Sequence, residues 1–299
     1  IGGFVTTLSA VDSLALARDR FYAEGRFADV FAGVKRAPAA LADTLRLLPG
    51  VADVQTSTEM MVRIELPGTS DPITGQLIGI DRRHPPRMNR ITLRSGHADD
   101  ESMSPGRAQP DGALPAWVSE AFAVAHGLQP GARLQALING KQRTLVMAGV
   151  ALSPEFIFAG LWGMPDQRGF GVFWVDHEAL AAAYDMEGAF NRVAVKLAPG
   201  ADQRAVIDAL QALLARSGGR EAIARADQTS HAMLDNEIKE QRVMGTVLPS
   251  IFLGVAAFLL NVVVSRLVAT QREQIAALKA LGYPNRTIAA HYLKMVLAI

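Results

Sequence analysis

The feature that most constrains this chain is a run of 23 residues without a charge, Val243 to Ser265, VMGTVLPSIFLGVAAFLLNVVVS. In a helix such a run covers roughly 35 Å, enough to cross a hydrocarbon core of about 30 Å with some tilt. It has no helical periodicity: Ile251, Phe252, Leu253, Val255, Phe258, Leu259, Leu260 and Val262 to Val264 fall on every face. An all-round apolar helix belongs in a membrane or at the centre of a large protein, and nothing else in the 299 residues is large enough to bury it. Pro249 is expected to kink the helix, which lipid tolerates better than water does, and Asn261 is expected to face another helix.

The flanks orient the span. Arg266, Arg272, Lys279 and Arg286 follow it, opposed only by Glu273, whereas the preceding segment mixes Asp235, Glu237, Lys239, Glu240 and Arg242. An excess of Lys and Arg just after the span puts that side in the cytoplasm and the long preceding region outside. The opening residues, Ile1 to Val11, are uncharged but too few to cross alone, and Ile288 to Ile299 are similarly apolar. Both ends read as cuts through membrane helices, and no signal peptide is visible.

Composition narrows the chemistry. A net charge of +1 predicts no nucleic-acid binding. The absence of cysteine excludes disulfides, thiolate metal sites and cysteine nucleophiles. No G-x-x-x-x-G-K-[ST], G-x-S-x-G, H-E-x-x-H or G-x-G-x-x-G occurs, so no P-loop is expected and no cofactor or metal is called. Asp176-His177-Glu178 is the one tight polar trio, read as solvation at a strand-to-helix junction against a metal or acid–base role. Arg82-Arg83-His84, before Pro85-Pro86, reads as a solvated turn against an anion site.

After the span, Thr270 to Gly282 reads as a short helix stopped by Gly282 and Pro284. Ile275, Leu278 and Leu281 share one stripe, with Arg272 and Lys279 on another flank. Two readings stand on physics alone: a helix lying on headgroups, or one set in the groove of a soluble partner. The run Arg272-Glu-Gln-Ile-Ala-Ala-Leu-Lys-Ala-Leu-Gly-Tyr283, followed by Asn285-Arg-Thr-Ile288, closely resembles the stretch after the second membrane helix of FtsX-like/MacB-like ABC transporter permeases. The resemblance implies a coupling helix that touches a separate ABC ATP-binding subunit. The residues it designates are Arg272, Glu273, Ile275, Leu278, Lys279, Leu281 and Gly282.

The region before the span alternates strand and helix signals. Arg26 to Lys35 reads as a strand, Pro38 to Leu48 as a helix and Val51 to Leu66 as one long strand. Asn191 to Leu197, Asp202 to Arg216 and Glu221 to Ala226 then read as strand, helix and strand. Two such β-α-β units can pair into one α+β subdomain. The stretch of about 75–176 becomes a β-rich insertion, with strands near Gln76–Ile80, Arg133–Ile138, Thr144–Val150 and Gly171–Val175. Asn139-Gly140 is a hairpin signal. Trp117 to Gly127 reads as a strand end into a helix capped near Ser119, and Ser95 to Pro115 as a mobile loop. The runs Arg26–Phe31, Leu48–Val51, Val118–Ala123, Gly127–Gly131 and Ser153–Phe156 are similar to the extracytoplasmic domain of this permease group.

The expected organisation is α+β. Residues 1–25 would end a first transmembrane helix and stalk, and 26–228 would form the extracytoplasmic (periplasmic) domain. Residues 229–269 would be stalk and transmembrane helix, 270–285 the coupling helix, and 286–299 the start of another span. A patch at Phe156, Phe158, Leu161 and Trp162 reads either as a core loop or as an apolar surface for cargo or a partner. The resemblance implies a permease of an export or mechanotransmission system in the bacterial inner membrane, not itself an enzyme. Lipid, lipoprotein, peptide or drug cargo and a dimer of permease units or of two internal halves go with it, as does a periplasmic partner. The alternative is an FtsX-like regulator that activates a cell-wall hydrolase; a membrane-anchored enzyme would need a catalytic constellation that the sequence does not offer.

Overall fold

The computed structural model describes residues 2–69, 71–81, 84–96 and 111–297. The chain divides into two compact units, Leu14–Ile238 and a second formed by Ile1–Ser13 with Lys239–Ile299. The fold class is α+β with a long C-terminal helix, as the sequence implies.

The larger unit holds two sheets. Strands β1 (Val30–Pro38), β2 (Val51–Ser57), β10 (Ala189–Leu197) and β11 (Ile223–Ala224) form an antiparallel sheet in the order β11-β1-β10-β2. Helix α2 (Leu41–Arg46) joins β1 to β2, and α5 (Gln203–Leu214) joins β10 to β11. This is a split β-α-β arrangement with a long insertion between its halves. Period-2 spacing sends Val30, Ala32, Val34, Val193 and Val195 to one face, where Leu45 of α2 and Val206, Leu210 and Leu214 of α5 cover them. Asp202 caps α5, its carboxylate accepting the amides of Arg204 at 2.9 Å and Ala205 at 3.2 Å. Phe31 and Ala194 point to the opposite face and pack with Tyr22, Phe27 and Met88.

The insertion builds a second sheet from β3 (Glu59–Glu65), β4 (Ile73–Ile80), β5 (Thr92–Gly96), β6 (Leu114–Ser119), β7 (Arg133–Ile138), β8 (Lys141–Leu152) and β9 (Phe170–Asp176). Its order is β5-β8-β6-β9-β4-β3-β7, and β7 also pairs with β8, so six strands close on themselves and β5 stays outside as an edge. Closure removes the exposed edges of those six. Ile64, Leu77, Val118, Leu134, Leu145 and Phe173 fill the interior. Helix α3 (Glu120–Ala125) adds Phe122, edge-on to Phe173 with centroids 5.4 Å apart, and α4 (His177–Ala183) adds Leu180. Asn139 (φ 44°) and Gly140 (φ 74°) turn the β7–β8 hairpin in the left-handed region that an Asn-Gly pair accommodates.

Several local expectations are corrected. The single strand over 51–66 is two strands in two different sheets, broken at fully buried Thr58. The second sheet therefore includes β3 as well as the strands after residue 75. Pro38 ends β1 and the helix that follows is only Leu41–Arg46, while Arg26 sits in a turn at φ 46° ahead of β1. Ser119 occupies the N-cap position of α3, but its hydroxyl accepts the Val172 amide at 3.2 Å instead of capping. The Arg82-Arg83 pair and most of the Ser95–Pro115 loop lie outside the described residues.

Helix α6 (Thr229–Thr270), whose first residues to Ile238 belong to the larger unit and the rest to the smaller, runs unbroken through Pro249. Thr246 and Ser250 donate their hydroxyls to the carbonyls of Arg242 and Thr246, at 2.8 and 2.7 Å, so neither hydroxyl is left unpaired around the proline. The helix is long and apolar enough to cross a membrane, and none of its apolar window is buried in protein. The smaller unit also holds α7 (Arg272–Ala280), α8 (Asn285–Leu297) and the part of α1 (Gly2–Glu24) up to Ser13. Asp12 of α1 pairs with Arg242 of α6 at 2.8 Å.

Candidate functional site

Helix α7 carries the expected coupling residues. Gly282 (φ 89°) ends the turn after it, a conformation that glycine adopts without a Cβ penalty. Arg272, Glu273 and Lys279 are exposed, Leu281 is 76% exposed, and Ile275 and Leu278 are half-buried. Helix α7 packs against α8, in which Ile288 is buried. The apolar stripe thus does not face one way. Ile275 and Leu278 are partly covered within the unit, while the charged residues and Leu281 offer a free surface.

The apolar patch is also divided. Phe156 packs edge-on against Trp174, with centroids 6.1 Å apart, and Arg192 sits 5.7 Å over its ring. Phe158 is half-buried and its amide donates to Ser230 Oγ at 3.1 Å. Leu161 is exposed, and the Trp162 side chain lies outside the described residues. Asp176 caps α4 by accepting the Ala179 amide at 3.0 Å, so the Asp-His-Glu trio has a structural member. Among the described residues no group of acidic or imidazole side chains could hold a metal.

The most connected polar assembly is one the sequence did not single out as a site. It joins the two sheets of the larger unit to the helix ends inside that unit. Arg192 of β10 is largely buried, its side chain 16% exposed, and pairs with Glu59, the first residue of β3, at 3.0 Å through Nε, and with Glu155 after β8. Burial pulls the Arg192 guanidinium below its ordinary value, and the charge of Glu59 opposes that pull. Glu155 also accepts from Asn89 Nδ2 at 2.7 Å, and its backbone carbonyl accepts from Gln228 Nε2 at 2.8 Å. Asn89 in turn accepts the Ala28 amide at 2.9 Å. Four separate segments therefore meet on one carboxylate and one guanidinium. Glu155 lies in the Ser153–Phe156 run, visible in sequence only through the family resemblance.

Around this centre the helix ends are clasped. Arg18 of α1 pairs with Asp235 of α6 at 3.0 Å. Burial lowers Arg18, but hydrogen bonds to Asp19 and Asp235 and their charges outweigh it and raise the guanidinium. Tyr22 meets His231 ring to ring, its hydroxyl 3.2 Å from Nδ1. Burial pushes the Tyr22 phenol up to about 12 and holds the His231 imidazole below its usual value; Asp235 opposes the latter while Arg18 and Arg225 reinforce it. Arg225, 5.1 Å over the Phe27 ring, donates to the carbonyls of Ala28 and Phe27 at 2.7 and 2.9 Å and pairs with Asp29.

A two-sheet α+β unit in one chain with a helix long and apolar enough to cross a membrane, followed by a short basic helix, defines the class of architecture. Residues 246–299 match the family model described as FtsX-like permease C-terminal. The periplasmic region of MacB from Actinobacillus actinomycetemcomitans is similar at 11% identity and TM-score 0.40, covering 72% of this chain and 94% of that one. The extracellular domain of YknZ, a noncanonic ABC-type transporter from Gram-positive bacteria, is similar at 15% identity and TM-score 0.38, covering 66% and 98%. No curated protein matches the chain by sequence.

Proposed function

We propose that this chain is the permease subunit of an ABC-type export or mechanotransmission system in the bacterial inner membrane. ATP hydrolysis on a separate subunit would be coupled through α7 to motion of the extracytoplasmic domain, which acts on lipid, lipoprotein, peptide or drug cargo. The observation that carries this reading is the FtsX-like match over 246–299, which takes in the membrane helix and the exposed residues Arg272, Glu273 and Lys279 together. The clasp at Arg18–Asp235 and Tyr22–His231 supports it, because these pairs tie α1 to α6 and Tyr22 packs with Phe27 and Phe31 against the first sheet. A dimer of permease units and a periplasmic partner belong to the same proposal.

The test is affinity purification of the full-length protein from its own membranes, with mass spectrometry for a P-loop ATPase. Glu273→Ala combined with Lys279→Ala is expected to lower recovery of that ATPase by about tenfold, the loss expected from removing two interface charges. Absence of any P-loop ATPase, or its full retention by the variant, would contradict the proposal.

A further inference from the structure

Within the larger unit α1 and α6 are joined by Arg18–Asp235 at 3.0 Å and by the Tyr22 hydroxyl with His231 Nδ1 at 3.2 Å. The first link is an ion pair. The second depends on a single proton. In a neutral imidazole with its hydrogen on Nε2, Nδ1 is a bare acceptor and takes the phenolic hydrogen. A protonated ring carries hydrogen on both nitrogens, so the phenol has to turn its own hydrogen away. Tyr22 is 7% exposed, and among the described residues its hydroxyl has no other partner. The displaced hydrogen therefore meets neither an acceptor nor bulk water, and a buried donor left unpaired is costly.

The surroundings also oppose a charge on the ring. The Tyr22 and Phe27 rings lie 5.5 and 6.5 Å from it, centroid to centroid. The charged groups that face it are Arg18 and Asp19 of α1, Arg225 just after β11 and Asp235 of α6 itself. Arg18 already engages both carboxylates, and Asp29 is taken up by Arg225 and Lys196. Burial is the largest cause that holds the imidazole below its ordinary range; Asp235 and Asp19 oppose it, and Arg18 and Arg225 reinforce it. The Tyr22 phenol, pushed up to about 12 by burial, stays neutral, so the imidazole is the member of this pair that changes charge near neutrality.

We propose that His231 is a proton-operated latch: protonation of its ring opens the contact between α1 and α6 and leaves Arg18–Asp235 to hold them. In the clasped form the ring is neutral, and in the released form it takes up its proton at the ordinary value. The clasp is therefore complete above about pH 6.5 and is lost as pH falls below it. A unit outside the membrane, as proposed above, meets the pH of the medium; the titration itself does not depend on that placement.

The experiment uses the full-length protein in nanodiscs, with any cysteine elsewhere replaced and nitroxide labels on Ala17→Cys and Asn236→Cys. Both positions are exposed and adjoin Arg18 and Asp235 in sequence. Double electron–electron resonance then reads the distance between the helices as a function of pH. A second, longer distance is expected to gain about threefold in population from about pH 7.5 to about pH 5.5, with a midpoint below about 6.5. His231→Gln, whose amide stays neutral, is expected to hold the distances constant over that range. His231→Lys is expected to show the longer distance already at about pH 7.5. If these variants fail to fold, the midpoint in the protein with His231 decides, because a midpoint near about 4 belongs to a carboxylate and overturns the proposal. Distances that do not change with pH, or an equal response in His231→Gln, overturn it as well.

Discussion

A guanidinium largely withdrawn from water must be compensated by the groups that meet it, and Arg192 meets Glu59 and Glu155. Removing one partner leaves a buried charge, whereas replacing the pair with apolar groups can be neutral. Glu155→Ala is therefore expected to cost about 3–5 kcal/mol of stability, and Glu155→Leu with Arg192→Met to recover most of that loss. Denaturant unfolding followed by Trp fluorescence checks both; a loss under about 1 kcal/mol for Glu155→Ala would show the pair to be solvated. His231 behaves differently because its ring, not its partner, is what burial penalises. The folded imidazole binds its proton less readily than the unfolded one, so the stability that neutral His231 contributes is present above about pH 6.5 and is lost as pH falls towards the lower folded value. Melting temperature should drop more steeply from about pH 7.5 to about pH 5.5 in the natural protein than in His231→Gln. Equal slopes would mean that His231 is not buried in its neutral form.

At the scale of elements, the membrane helix has the simplest physics. Leu253 lies near the middle of the uncharged run and is 51% exposed within the protein, as a lipid-facing side chain would be. Leu253→Arg is expected to cost about 2.5–3.5 kcal/mol of insertion free energy, measurable as reduced membrane integration in a translocation assay. Unchanged integration would place this helix outside the hydrocarbon. The long apolar helix was legible because 23 uncharged residues admit few alternatives. The hairpin at Asn139-Gly140 was legible because few pairs accept two positive φ angles. The break at Thr58 was not, since Val51 to Leu66 reads as one long strand and only long-range pairing assigns its halves to different sheets. Closure of the insertion by β7 on β8 was hidden for the same reason: it depends on partners, not on local pattern. The split of the Ile275, Leu278 and Leu281 stripe needs α8, which no periodicity of α7 alone can supply.

At the scale of the whole molecule, the candidate site is legible in sequence only where it lies beside the membrane. The turn proposed to couple follows from a motif after the long apolar helix, whereas the Arg192–Glu155 centre gathers residues from positions 59 to 228 and has no local signature. The central claim is that the two-sheet domain lies outside the cell membrane and that α7 lies in the cytoplasm. These 299 residues hold no cysteine, so a single thiol introduced among them, with any cysteine elsewhere in the full-length protein replaced, reports its own side alone. Ala212 on α5 and Gln274 on α7 are both exposed and suited to this. In intact spheroplasts a membrane-impermeant maleimide should label Ala212→Cys fully and Gln274→Cys only after permeabilisation. Labelling of Gln274→Cys before permeabilisation, with Ala212→Cys protected, would reverse the topology and contradict the account.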